Sequence, residues 1–455
     1  MKDRLDALDG RLRAALLRPA SPRTLHACAG LTCAAFFLLL MTRTLTQAAG
    51  RGQQFGAALL LTLPLALMLF FAVRLTKESE GGVLGALCAC ALCACALLAR
   101  LSFLERSSGD YDLYLADWLS KLAAGSFSDG MRQDIGEYNV LYQYILFGIT
   151  RLPVPALYAV KAVSFMGDAL LAGAAARLCS RNGRGSLPVF GAVLLLPTVV
   201  LNGGMFAQCD SLYAACALWG LACCLQDRPA RGAACFALAL AFKLQAVFLL
   251  PIAAVLWADR RLRVLDAGVF LLTLAAVALP AVLGGKSPAA LVSIYASQTG
   301  LYTGLNYNAP GFFGLMETAG LDVYAYGNFA MAIAFGVCAL LVAFGIRRAG
   351  NLSRTDYVRL ALLLPLWIVF CLPRMHERYF YLADVLSVAL AGCDRRMIPA
   401  AALIALASLS SYWALAIPLP LASGMMLAAA VIALAGAMRG EDAHEPRRDA
   451  QFPEA

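Results

Sequence analysis

Residues 373–379 read Pro-Arg-Met-His-Glu-Arg-Tyr, and four of these seven side chains ionise. Only 14% of the chain is charged and it holds three histidines, so this is an unusual concentration. Two apolar runs flank it, and an ionisable group near a membrane must pair, hydrogen-bond or meet a charged ligand, because desolvating it costs several kcal/mol. Arg374, His376 and Arg378 form a set suited to an anion such as a phosphate, with Glu377 as internal counter-charge. The plainer alternative is a juxtamembrane charge cluster that orients a helix.

A second chemical segment is acidic. Residues 105–138 carry Glu105, Asp110, Asp112, Asp117, Asp129, Asp134 and Glu137 against Arg106, Lys121 and Arg132. Leu115, Trp118, Leu119 and Leu122 make a helical apolar stripe over 111–124, which predicts an amphipathic helix on the membrane surface with Trp118 at headgroup level. Asp110 stands just ahead of that helix. A carboxylate partly shielded from water there suits a general base, and it suits an N-cap equally well.

These residues need a scaffold, and composition says which kind. Hydrophobic residues make up 61% of the 455-residue chain, and the mean hydropathy is +0.73. The reading is an all-α, polytopic integral membrane protein. Candidate spans fall at 26–46, 55–75, 83–103, 156–176, 187–203, 209–226, 263–284, 326–346, 357–373, 379–393, 397–416 and 420–438. Lys243, Gln245 and Pro251 interrupt a further apolar run at 231–258, which predicts two short helices rather than one straight span. The total is about 12–14 crossings. The aromatic, proline-punctuated stretch 138–155 reads as interfacial or re-entrant.

Basic residues cluster before the first span and around 177–184, 228–231, 260–263, 347–359, 395–396 and 439–448. In this map they share one side, so the positive-inside rule makes both termini cytoplasmic. The net charge of +9 is then mostly cytoplasmic anchoring, and nothing points to nucleic acid. The organisation expected is a cytoplasmic segment 1–25 without a signal peptide, one transmembrane domain over 26–438, and a disordered cytoplasmic tail at 439–455. The opposite side receives outer loops 104–155 and 285–325, the 203–211 segment, the Lys243 break and the 373–379 block. Cys88, Cys90, Cys93 and Cys95 mimic a metal motif, but lie in an alanine-rich span without acids or histidines and read as small apolar filler. Asp168 is expected to pair with Lys161 two helical turns away.

Several blocks resemble bacterial relatives of the GPI mannosyltransferase PIG-V, within the C-type glycosyltransferases. They are Gly109-Asp110-Tyr111 followed by Trp118, residues 135–139 (Ile-Gly-Glu-Tyr-Asn), Gly204-Met-Phe-Ala-Gln208-Cys-Asp210-Ser211, Phe242-Lys243-Leu244-Gln245 followed by Pro251, and Arg374-Met-His-Glu-Arg-Tyr379. The likeness covers about 105–390. Phe206-Ala207 departs from the family's Trp-Gly.

The resemblance implies a membrane enzyme that moves a hexose, mannose favoured, from a polyprenyl-phosphate donor to an extracytoplasmic glycolipid, glycan or protein. Asp110 becomes the catalytic base, with Asp112 as backup. Lys243, Arg378, His376 and Arg374 become donor-phosphate ligands. Gln208, Asp210, Gln245, Tyr111, Glu377 and Tyr379 become sugar- or acceptor-binding or supporting residues. No cofactor and no metal site are expected, and the setting is a bacterial cytoplasmic membrane with the active site outside. The competing readings are a transporter or flippase of lipid-linked sugars, and a polysaccharide polymerase or ligase using lipid diphosphates.

Overall fold

The computed structural model describes residues 10, 18, 20–78, 82–133, 135–136, 138–180, 185–297, 303–316, 318, 320–412 and 415–439. The acids Asp134 and Glu137, several N-terminal and 181–184 arginines, and the tail beyond 439 lie outside them.

The fold is all-α, as composition requires, apart from one two-residue ladder among the described residues, detailed below. Among the described residues, seven helices are long and apolar enough to cross a membrane: Pro22–Thr42, Gly50–Glu78, Val83–Leu101, Ala156–Leu178, Val264–Leu283, Val323–Arg347 and Leu419–Met438. Leu187–Leu194 and Pro197–Gly204 make an eighth candidate, bent by 50° where Pro197 cannot donate its backbone nitrogen.

The other expected spans are helices too, but shorter than the roughly 20 residues that cross unaided. They are Asp210–Cys224, Pro229–Phe242, Arg354–Cys371, Tyr381–Cys393 and Ile398–Ser411. Most of these lie deep in the bundle, where neighbours rather than lipid surround them. The 138–155 stretch contains the ten-residue helix Val140–Ile149, about 15 Å long and half a bilayer at most.

Packing runs from a buried centre to an apolar rim. Ala156–Leu178 is central, and packs on Gly50–Glu78 and Asp210–Cys224. Gly167 allows that second approach, because a Cβ there would meet Ser211 Oγ at 2.4 Å. The Val264–Leu283 helix instead exposes Leu265, Leu271, Leu272 and Leu283, which suits hydrocarbon rather than water.

Two buried cations fix the approach to Asp110. Asp168 does not pair with Lys161: residues seven apart on a helix lie about 10 Å apart along its axis. Asp168 Oδ2 is met instead by Arg100 Nε at 2.7 Å, and Arg100 Nη1 also donates to the carbonyls of Ala96 and Leu194 at 2.9 Å. Lys161 Nζ donates to the carbonyls of Phe103, Leu104 and Arg106, closing the turn after Val83–Leu101. Glu105 in that turn accepts from Tyr158 OH at 2.7 Å and from Thr46.

The 285–325 loop is tied to the 373–379 block. Asn306–Tyr307 pairs in parallel with Met375–His376, Arg374 N donates to Leu305 O at 2.8 Å, and Glu377 N donates to Tyr307 O at 3.1 Å. The Tyr307 ring stacks on His376 with centroids 4.8 Å apart and planes at 16°.

Candidate active site

One cavity of about 870 Å³ gathers most of the residues singled out in the sequence. Asp110, Tyr111, Gln208, Lys243, Gln245, His376, Glu377, Arg378 and Tyr379 all line it. They come from four segments that are far apart in the chain, so the cavity exists only in the folded bundle.

Asp110 opens a π-turn, Tyr111–Leu115, that continues into Ala116–Ala123. Its side chain makes no capping bond, so the N-cap role is not the one it fills. Asp110 Oδ2 accepts from Arg378 Nη2 at 3.0 Å and from Gln208 Nε2 at 3.1 Å, and the side chain is 44% exposed. Ser108 fixes the backbone there: its Oγ accepts from Tyr111 N at 3.2 Å and donates to Phe206 O at 3.1 Å. Asp112 is exposed, accepts from Ser107 Oγ at 2.8 Å and does not line the cavity.

The 111–124 stripe faces protein rather than headgroups. Leu115, Leu119 and Leu122 are buried against Ile135, Tyr142 and Leu146, and Trp118 packs edge-on to Tyr138 at 5.8 Å. An amphipathic pattern alone does not distinguish a lipid surface from a protein one.

Lys243 ends the Pro229–Phe242 helix in an extended conformation, and the chain continues as the 3₁₀ turn Leu244–Phe248. This is the break that the sequence predicts. Lys243 Nζ does not snorkel outward but donates to Asp210 Oδ1 and lies 5.5 Å over the Tyr138 ring. Asp210 is buried at the start of Asp210–Cys224, behind the cavity rather than on its lining. Its second oxygen accepts from Asn202 Nδ2 at 2.8 Å, and Asn202 Nδ2 also reaches Tyr412 OH at 3.3 Å.

Arg378 bridges two carboxylates, giving Nη2 to Asp110 and Nε to Glu377 Oε1 at 3.1 Å. Among the described residues its buried Nη1 has no partner, leaving one donor for a ligand. Burial opposes its charge, but the carboxylates of Asp210 and Glu377 prevail and hold it firmly protonated. Burial likewise opposes the charge of Glu377, yet His376 and Arg378 hold its carboxyl below the usual range. Glu377 Oε2 lies 3.7 Å from His376 Nδ1. Burial pushes the Tyr111 hydroxyl up to about 12.

Arg374 is placed off the cavity lining, in the left-handed region at φ +63°. Ala207 and Asn308, which do line it, share that strained conformation at +53° and +60°. The departure from glycine at 207 therefore falls where glycine would be relaxed.

Sequence reading missed Ser108, Asn202, Tyr307, Asn308 and Tyr412. Asn202 was detectable, as a lone amide in an apolar run that ends in Gly203-Gly204. Tyr412 carried no signal, since its role depends on a contact 210 positions away. Among the described residues, no group of three or more His, Cys, Asp or Glu side chains could hold a metal ion.

Residues 138–259 match a family described as alpha-(1->6)-mannopyranosyltransferase, N-terminal domain. The chain is similar there to a mannosyltransferase. The match supports a glycosyltransferase that acts with mannose, and it includes Tyr138, Gln208, Asp210, Lys243 and Gln245. It is a different mannosyltransferase family from the PIG-V relatives, and leaves out both Asp110 and the 373–379 block. No curated protein matches the chain.

Proposed function

We propose that this protein is a membrane mannosyltransferase that takes its sugar from a polyprenyl-phosphate donor. The observation that carries the reading is the meeting of Asp110, Gln208, Lys243 and Arg378 around one cavity. Transfer of a sugar from a lipid phosphate needs a base for the acceptor, cations for the leaving group and polar contacts for the ring.

Asp110 takes the acceptor hydroxyl's proton as that oxygen attacks the anomeric carbon. The bond from carbon to phosphate oxygen breaks, and its electron pair leaves with the phosphate. Arg378, whose Nη1 has no partner among the described residues, and Lys243 bear the charge that develops. Gln208 holds Asp110 through its amide nitrogen, and its own carbonyl is held by Tyr138 OH at 3.1 Å. Asp210 and Glu377 orient the two cations. His376, Tyr379, Tyr111 and Gln245 also line the cavity, while Arg374 and Asp112 take no direct part. No resident cofactor or metal is assigned.

We infer kinship with bacterial relatives of PIG-V as well, since residues of all five resembling blocks share the cavity. The same reading sets the protein in a bacterial cytoplasmic membrane, both termini inside and the cavity outside. The scarcity of Lys and Arg in the loops at that end supports this, relative to the basic clusters assigned to the other side.

The test is transfer of radiolabelled mannose from polyprenyl-phosphate-mannose by membranes holding wild type or Asp110→Asn at equal protein level. Transfer abolished by the substitution supports the mechanism. Transfer that survives removes Asp110 as the base, and carrier movement across the bilayer without transfer would make the protein a transporter. A requirement for lipid diphosphate donors would make it a polymerase or ligase.

A further inference from the structure

The segment that delivers Asp110 also delivers a set of aromatic faces. Tyr111, Tyr114, Leu115 and Trp118 line the cavity from the turn and helix that follow the carboxylate, and Tyr138 and Tyr142 extend the set. Neighbouring rings meet in sequence, Tyr114 to Trp118 at 6.4 Å, Trp118 to Tyr138 at 5.8 Å and Tyr138 to Tyr142 at 4.9 Å. Trp118 is held from behind by Gly136, where a Cβ would strike the indole at 2.2 Å and where φ is +56°. Tyr142 is buried, but Tyr114 is 55% exposed although it lines the cavity. The cations Lys243 and Arg378, and the His376 ring, come from other segments.

This division of labour constrains the acceptor. Its reacting hydroxyl must reach Asp110, so the rest of it lies against the surface beside that carboxylate. At Tyr114, Leu115 and Trp118 that surface offers aromatic and apolar side chains, whereas Arg378 and Lys243 reach the cavity from other segments. A pyranose fits it, because its C–H face packs on a ring while hydroxyls at its edge reach polar groups. A peptide would leave amides, and a phospholipid headgroup its phosphate, against ring faces. We propose that Tyr114 and Trp118 form an acceptor subsite for a sugar ring, so that the acceptor is a glycan or glycoside. This rests on the transferase reading above.

Two measurements test it on the full-length protein in detergent micelles. The first is saturation-transfer NMR with methyl α-D-mannopyranoside, which reports binding whether or not transfer occurs. Wild type and Tyr114→Phe should saturate the protons of one ring face, and Tyr114→Ala should lose most of that signal. The second uses polyprenyl-phosphate-mannose with octyl α-D-mannopyranoside or 1-octylglycerol as acceptor. The glycoside should be preferred at least tenfold. Tyr114→Ala should raise its KM about tenfold while kcat and donor KM hold, and Tyr114→Phe should restore it.

No mannoside signal in wild type, or an equal one in Tyr114→Ala, would overturn the subsite and leave Tyr114 a membrane-interface anchor. Equal use of 1-octylglycerol would overturn it too. Failure of wild type to transfer to any acceptor, with the NMR signal and its Tyr114 dependence intact, would sink the transferase reading and keep a sugar-binding site.

Discussion

Asp210→Asn probes how the cavity's lysine is held. Asp210 and Lys243 are 3% and 11% exposed in their side chains, and each is the other's counter-charge. A contact ion pair at an effective dielectric near 20 is worth about 4 kcal/mol, part of which repays desolvation. Removing one partner of a buried pair strands the other and costs about 3–5 kcal/mol. Asp210→Asn and Lys243→Met should therefore each lower the unfolding free energy by about 3 kcal/mol. The double variant should fall short of their sum by about 2 kcal/mol, because no stranded charge remains. Unfolding in mixed detergent micelles at increasing SDS, followed by tryptophan fluorescence, measures all four proteins of the cycle. Mannose transfer should stay about 10²- to 10³-fold down in the double variant, since the phosphate has still lost its cation. Single losses under about 1 kcal/mol, or losses that simply add, would show that the two charges are not a buried unit.

Other perturbations read different parts of the site. Asp110→Asn should cut transfer by about 10²- to 10⁴-fold, the range of a general base, while circular dichroism melts stay near wild type. Ala207→Gly relieves a backbone at φ +53° and should stabilise the fold by about 0.5–1 kcal/mol, after the unfolded chain's entropy is subtracted. Gly136→Ala drives a Cβ into Trp118, so the melting temperature should drop and transfer should fall even at temperatures where the protein stays folded. Because Glu377 has a lowered pKa when folded, its contribution is complete above the ordinary value of 4.5 and is lost as pH falls through the folded value. Wild type should thus lose thermal stability below pH 4.5 more steeply than Glu377→Gln, and matching slopes would refute that linkage.

The architecture was legible because a bilayer imposes one pattern: every expected span overlaps helix, with 187–203 split in two, and Lys243 breaks its run where the sequence says. Helix lengths were harder to read, since residues 210–224 and 381–393 are apolar for burial among neighbours as well as for lipid. Charged clusters carried the site, as nine of the twelve proposed residues line the cavity. What escaped were partnerships. The Asp168–Lys161 pairing failed because Arg100 and the Phe103, Leu104 and Arg106 carbonyls lie on other segments that no local pattern names. Trp118 was assigned to headgroups because amphipathicity records a greasy face without saying what covers it.

The long-range closures around the cavity also decide when it comes into being. A chain inserted into a membrane from its N-terminus exposes Asp110 well before Lys243, and Arg378 later still. Asn308, on the cavity lining, waits for the carbonyl of Ser411 at 2.8 Å, and Asn202 waits for Tyr412. A stalled or truncated product therefore carries the carboxylate without the groups that make it useful. The spans after residue 397, which hold none of the reacting groups, act as the final latch on that schedule.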